Sequence, residues 1–223
     1  MTKQQLIDMI DYTLLTPTAT KDDITAFCNE TIEHGFNTVF VNPYYVKHAV
    51  ELLSPHKIKV GVPIGFSLGG ATTNTKVAET KEAIQNGVTE IDMLINLGAL
   101  KSKELDVVKQ DIMEVVKASE GLTTKVIIET ALLTKEEKIT ACKLIMEAGA
   151  DFVKTATGFN GGGATVEDVQ LLRSVVGPDF GVKAAGGVRT FEDAVAIIEA
   201  GANRIGTSGA IALISGQTST ASY

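Results

Sequence analysis

Tryptophan is absent from this sequence, and its 223 residues include only two cysteines and three histidines. Cys28 and Cys142 lie far apart, and His34, His48 and His56 share no metal-ligand spacing, so disulfide and metal frameworks are not expected. No run approaches the ~20 apolar residues needed to span a membrane. The amino terminus, MTKQQLIDMIDYTLL, lacks a basic region followed by an apolar stretch and does not read as a secretory signal, which points to the cytoplasm. An excess of positive charge is also missing. Lys plus Arg is 20 against 27 Asp plus Glu, a net charge of −7. That balance argues against non-specific binding to nucleic acid or anionic membrane.

What is present is a recurring junction. It reads E-A-G-A-D-F-V-K-T at Glu147–Thr155 and E-A-G-A-N-R-I-G-T at Glu199–Thr207, with looser copies around Gly35 and Gly87. An apolar-periodic stretch ends at a glycine and a short β-branched run follows. This is the pattern of a helix end, a left-handed turn and a strand. Gly35, Gly87, Gly149 and Gly201 are spaced by 52, 62 and 52 residues, or two βα units per interval. Thr20-x-x-Asp23, Thr134-x-x-Glu137, Thr165-x-x-Asp168 and Thr190-x-x-Asp193 supply matching helix starts. Cys28 and Cys142 fall on the apolar stripes of those helices and read as small core hydrophobes.

Eight strands are expected: Met9–Thr13, Thr38–Asn42, Ile58–Ile64, Glu90–Ile95, Lys125–Glu129, Asp151–Thr155, Gly181–Ala185 and Asn203–Thr207. Apolar strands alternating with amphipathic helices imply a parallel sheet covered by helices. Eight units imply an α/β fold of the single-domain (β/α)8 TIM-barrel class. A doubly wound open sheet is the alternative, but it usually carries fewer strands, and no G-x-G-x-x-G follows the first strand. The barrel domain is expected over residues 1–214, with 215–223 as a flexible carboxy-terminal tail.

Charges inside apolar strands need a reason. Asp92, Lys125, Lys154 and Lys183 are four such charges. Lys154 and Lys183 stand near the carboxyl ends of strands six and seven, the face that carries chemistry in such barrels. Two neighbouring lysines in a pocket repel, and burial adds to the effect, so at least one should have a depressed pKa. A neutral amine attacks carbonyls, and a carboxylate such as Asp92 can help move protons, which implies Schiff-base catalysis. The plain alternatives are a lysine turned to solvent at a strand end or one paired with an acid. Lys125 opens its strand, so solvent exposure is a real option for it. After strands seven and eight come Ala185-Gly186-Gly187-Val188-Arg189 and Gly206-Thr207-Ser208-Gly209. Loops at these ordinal positions commonly cradle phosphate, and Ser208–Ile214 could be a helix presenting its amino end to the anion. Thr157 and Gly158 could add donors, while ordinary tight turns are the alternative.

The set E-I-D-M at 90–93, K-V-I-I-E-T at 125–130, F-V-K-T-A-T-G-F at 152–159 and V-K-A-A-G-G-V-R at 182–189 resembles the deoxyribose-phosphate aldolase family. The resemblance covers nearly the whole chain. It implies a class I, metal- and cofactor-independent aldehyde-lyase of barrel fold. That enzyme would reversibly cleave 2-deoxy-D-ribose 5-phosphate to D-glyceraldehyde 3-phosphate and acetaldehyde in deoxyribonucleoside catabolism. By resemblance, Lys154 is the Schiff-base lysine, Lys183 the second lysine and Asp92 the acid of the proton relay. Asp11 and Lys125 match polar residues of the substrate site. Gly186, Gly187, Arg189, Gly206, Thr207 and Ser208 lie in the phosphate loops. Tyr223 matches a terminal tyrosine held to aid proton transfer, a frayed end being the alternative. The chain departs from many relatives in carrying Phe40 in place of cysteine, and from some in carrying Phe159 in place of a basic residue. The expected partners are phosphosugar and aldehyde substrates and a second copy of the chain, as a homodimer. The rival readings are another lysine-dependent barrel aldolase, acting on ketone donors, and a phosphosugar-binding barrel without catalysis.

Overall fold

A computed structural model describes residues 1–220. Eight strands form a closed parallel barrel in chain order. They are β1 (Ile10–Leu14), β2 (Thr38–Val41), β3 (Lys59–Ile64), β4 (Glu90–Leu94), β5 (Thr123–Ile127), β6 (Phe152–Lys154), β7 (Gly181–Ala185) and β8 (Arg204–Thr207). Pairing of Asp11 with Gly206 and Tyr12 with Thr207 closes β1 on β8 and excludes the open sheet. The helices are α1 (Lys3–Met9), α2 (Lys21–His34), α3 (Val46–Leu53), α4 (Thr73–Gln85), α5 (Leu97–Lys101), α6 (Leu105–Ala118), α7 (Lys135–Glu147), α8 (Val166–Val176), α9 (Phe191–Glu199) and α10 (Ala210–Ile214). None is long and apolar enough to cross a membrane among the described residues.

The elements form for local reasons. Thr20, Thr134 and Thr190 each close a reciprocal capping box with the acid three residues on, and Thr165 accepts from the Asp168 amide. Each satisfies donors that the first helical turn leaves free. Gly35 ends α2 at φ 74°, in the left-handed region where a β-carbon is strained. Apart from β7, each strand shifts by one or two residues at one or both ends from the sequence reading, and two of the shifts bear on the site. Met9 belongs to α1, which Thr2 and Gln5 cap reciprocally, so β1 starts at Ile10. β5 starts at Thr123 rather than Lys125, so Lys125 sits inside its strand and is wholly buried. The solvent-exposed option for Lys125 is thereby removed.

The two faces of the barrel wall differ in chemistry. Ile91, Met93, Val126, Val153, Val182 and Ile205 face outward into one continuous apolar core with the helices. Their neighbours one residue along face inward. The inward layer contains Asp11, Glu90, Asp92, Lys125, Lys154 and Lys183, all buried. Register explains the gathering. Asp92 pairs with Lys125, Ile127 with Lys154, Lys154 with Lys183, and Lys183 with Arg204. Adjacent parallel strands thus present these residues at similar heights to one interior. Where many barrels pack branched apolar side chains, this one packs charge.

Candidate active site

The charged cluster is organised around one oxygen. Asp92 Oδ2 accepts from Lys154 Nζ at 2.8 Å and from Lys183 Nζ at 2.7 Å. Asp92 Oδ1 accepts from Lys125 Nζ at 3.1 Å. Lys183 also lies 2.5 Å from Asp11 Oδ2, and Lys125 donates to Glu90 Oε2 at 2.5 Å. Arg204 donates to Asp11 from Nε and Nη2, and to Thr38 Oγ1 at 3.0 Å. The cluster therefore pairs three lysines and an arginine with Asp11, Glu90 and Asp92, burying charge with its partners.

An aromatic ring shares this interior. Phe40 lies with its ring centroid 3.8 Å from Lys183 Nζ and 4.7 Å from Lys125 Nζ. Gly61, its partner on β3, makes the room, because a β-carbon there would overlap the Phe40 ring. The ring face attracts the ammonium groups.

Burial pushes the Lys183 ammonium down, Lys154 and Lys125 repel it further, and Asp11 and Asp92 only partly oppose this, leaving its pKa at about 8. Burial would raise Asp92, but Lys125, Lys154 and Lys183 outweigh it and hold the carboxyl well below the usual range. Asp11 is likewise held low, mainly by Lys183 and Lys125 against its own burial. Lys125 goes the other way. Burial would lower it, but Asp92, Asp11 and Glu90 raise it above the ordinary lysine value. The depressed lysine expected from sequence is thus Lys183, and the dominant cause is desolvation.

Beside the cluster opens a cavity of about 340 Å3 lined by Gly158, Gly162, Gly186, Gly187, Val188, Arg189, Gly206, Thr207, Ser208 and Ser219. Glycine backbone, hydroxyls and one guanidinium suit an anion. Gly206 links cavity to cluster, since a β-carbon there would lie 3.1 Å from Lys183 Cε. Gly186, at φ 81°, packs so closely on the neighbouring loop that a β-carbon on Gly163 would meet its carbonyl at 2.6 Å.

Most of the residues singled out from sequence converge here, with three differences. Asp11 and Lys125 do not line the cavity; they are fully buried beneath it as partners of the lysines. Thr157 does not offer donors to an anion. Its backbone N–H donates to Glu129 at 3.2 Å and its hydroxyl at 2.5 Å. The helix expected over Ser208–Ile214 begins at Ala210, so Ser208 belongs to the loop. Tyr223 lies outside the described residues. Within the segment expected as a flexible tail from residue 215, Ser219 meets the barrel: its N–H donates to Arg189 O at 2.8 Å and it is buried against Gly209. Sequence reasoning missed Glu90, Glu129, Arg204 and Ser219. Among the described residues, no group of three or more His, Cys, Asp and Glu side chains is placed to hold a metal.

Fold and site together define a class: a (β/α)8-barrel enzyme that uses lysine for carbonyl chemistry at the carboxyl ends of its strands. Residues 6–216 match the model of the DeoC/LacD family aldolases, and the chain belongs to that family. Deoxyribose-phosphate aldolase 2 of Oceanobacillus iheyensis is 63% identical over 223 residues, covering 100% of both chains. The deoxyribose-phosphate aldolase of Thermococcus gammatolerans is 57% identical over 220 residues, 97% of this chain and 98% of that one. Among solved structures, the tetrameric deoxyribose phosphate aldolase of Aeropyrum pernix superposes with a TM-score of 0.89 at 33% identity, covering 96% of this chain and 90% of that one.

Proposed function

We propose that this chain is a class I aldolase that reversibly cleaves 2-deoxy-D-ribose 5-phosphate to D-glyceraldehyde 3-phosphate and acetaldehyde, with Lys154 as the Schiff-base residue. The observation that carries this reading is the single oxygen, Asp92 Oδ2, held between Lys154 Nζ and Lys183 Nζ. Its relatives of the same length are named for that activity.

The chemistry follows from the geometry. The Lys154 amine adds to the open-chain C1 aldehyde, and loss of water gives an iminium. Lys183 is the base proposed to take the C3 hydroxyl proton, because its amine exchanges charge near neutral pH. The C2–C3 bond then breaks. Its electron pair passes to the iminium to give an enamine on Lys154, and C3 leaves as the aldehyde of glyceraldehyde 3-phosphate. Protonation at C2 and hydrolysis release acetaldehyde and restore the lysine. Asp92, held anionic, accepts hydrogen bonds from both amines through Oδ2 and so orients them toward the reacting carbons. The glycine-lined cavity holds the phosphate, a remote anchor that fixes the reacting carbons over Lys154.

Borohydride with acetaldehyde should place an N-ethyl group on Lys154, read by peptide mass mapping. Adduct on another lysine, or binding without adduct, overturns the assignment. Lys154→Ala should abolish cleavage, and EDTA should leave activity unchanged. The two buried free thiols, Cys28 and Cys142, suit a cytoplasmic location. We further propose a homodimer, the commonest closed assembly. Light scattering should then give twice the chain mass of 23.6 kDa.

A further inference from the structure

Glu129 has no part in the chemistry above, yet it is buried and held in an unusual way. It lies two residues past the end of β5, is 1% exposed and adopts φ 54°, ψ 67°, the left-handed region that non-glycine residues rarely occupy. No cation lies within ion-pair distance of it among the described residues. The hydrogen bonds to its carboxylate come instead from one loop, that between β6 and α8. Thr157 donates from its N–H to both carboxylate oxygens, at 3.2 and 3.3 Å, and from its hydroxyl at 2.5 Å. Asn160 Nδ2 donates to Glu129 Oε2 at 2.9 Å and also to Ser67 O at 2.7 Å. Ser67 belongs to the loop after β3, so Asn160 ties that loop to the one after β6. Phe66 and Phe159 join the same two loops edge to face, with centroids 5.2 Å apart.

The consequence lies at the next residue. With both donors of Thr157 turned inward onto Glu129, Gly158 at φ 86° and Gly162 at φ 105° form a wall of the anion cavity. Gly162 rests on the segment that carries Glu129, since a β-carbon on Gly162 would lie 2.5 Å from Ala131 Cβ. A strained residue persists only where its surroundings fix it, and such residues cluster at functional sites.

We propose that Glu129 is a positioning residue for the anion cavity: it fixes the loop after β6 so that Gly158 and Gly162 face the phosphate. It does this through Thr157 and, by way of Asn160, in register with the loop after β3. The role of the cavity in holding a substrate phosphate rests on the aldolase reading above. The effect belongs to the phosphosugar half of the reaction. Glu129 bonds none of the groups around Asp92 Oδ2, so the acetaldehyde half should not depend on it.

Glu129→Gln separates the two halves. One oxygen, Oε2, now accepts from three donors, and an amide in its place would face at least one of them with its own N–H. In Glu129→Gln, the KM for deoxyribose 5-phosphate should rise at least tenfold, and the dissociation constant of inorganic phosphate should rise with it. The rate of borohydride-trapped labelling of Lys154 by acetaldehyde should stay within about twofold of the parent. A parental KM overturns the proposal. So does labelling that falls in step with kcat/KM, which would mark general disruption. If Glu129→Gln does not fold, Asn160→Ala carries the test, with a severalfold rise in KM and unchanged labelling expected, and a parental KM again overturning it. Failure of the parent to form any acetaldehyde adduct would defeat the aldolase reading instead. Inorganic phosphate titration of the parent and Glu129→Gln would still decide the role of Glu129.

Discussion

Lys183 carries the most consequential single-residue property in this molecule. Its amine stands at about 8 because burial outweighs the attraction of Asp11 and Asp92. As the proposed base it works in the neutral form, so kcat/KM should rise with pH through about 8 and then level. Lys183→Met should lower kcat/KM by roughly 10²–10⁴-fold, the ordinary contribution of a general base, and lose that inflection. A pH–rate profile of both proteins checks it, and an unchanged inflection in the variant would remove the assignment. At this scale the site was legible wherever a charge interrupted an apolar strand, as with Asp92, Lys154 and Lys183. Two of the misses, Glu90 and Glu129, share one cause. Strand alternation puts Glu90 on the face of Asp92, and Glu129 two alternations beyond Lys125, yet neither looks out of place at a strand end. The direction of Thr157 was not legible, because it depends on a carboxylate 28 residues away in sequence.

Element boundaries were legible where the chain carries a cap. Thr20, Thr134 and Thr190 mark their helices with a local bond that needs no tertiary context. What joins one helix to another carries no such mark. Lys76 on α4 and Asp111 on α6 form a buried ion pair at 2.5 Å, and Lys76 also donates to Leu94 O at the end of β4. Thr73 donates to the other Asp111 oxygen at 2.8 Å. The pair thus fastens two outer helices to the carboxyl end of the strand that carries Asp92. Both side chains are essentially unexposed, and nothing in either helix alone announces the partner. Lys76→Met leaves an uncompensated carboxylate in the interior and should destabilise by about 3–5 kcal/mol in urea unfolding. Lys76→Met with Asp111→Leu removes both charges and should recover most of that loss. Equal destabilisation in the single and double variants would show that the pair contributes through shape rather than charge.

For the whole molecule, an interior filled with charge must appear in how stability depends on pH. The fold class was legible because eight βα units repeat along the chain, but the interior charge balance was not, since it arises only when the sheet closes. Asp11 and Asp92 titrate below their ordinary values in the folded state. The unfolded chain therefore takes up protons first as pH falls, and their stabilisation is lost below about 4. Lys183 acts with the opposite sign. Its folded pKa, about 8, lies below the ordinary lysine value of 10.5, so between these values the unfolded chain holds the proton that the folded chain has released. Stability from this group therefore rises with pH across that window, by up to about 1.4 kcal/mol per pH unit. Cys28, Cys142 and Tyr12 oppose it above about 9, because burial raises all three in the folded state. The parent must therefore be compared with Lys183→Met, in which those groups remain and this one is gone. The difference in unfolding free energy, parent minus variant, should grow from pH 8 to pH 10. A difference that stays flat or shrinks would mean that Lys183 keeps its proton in the folded protein, and the proposed base would have to be sought elsewhere in the cluster.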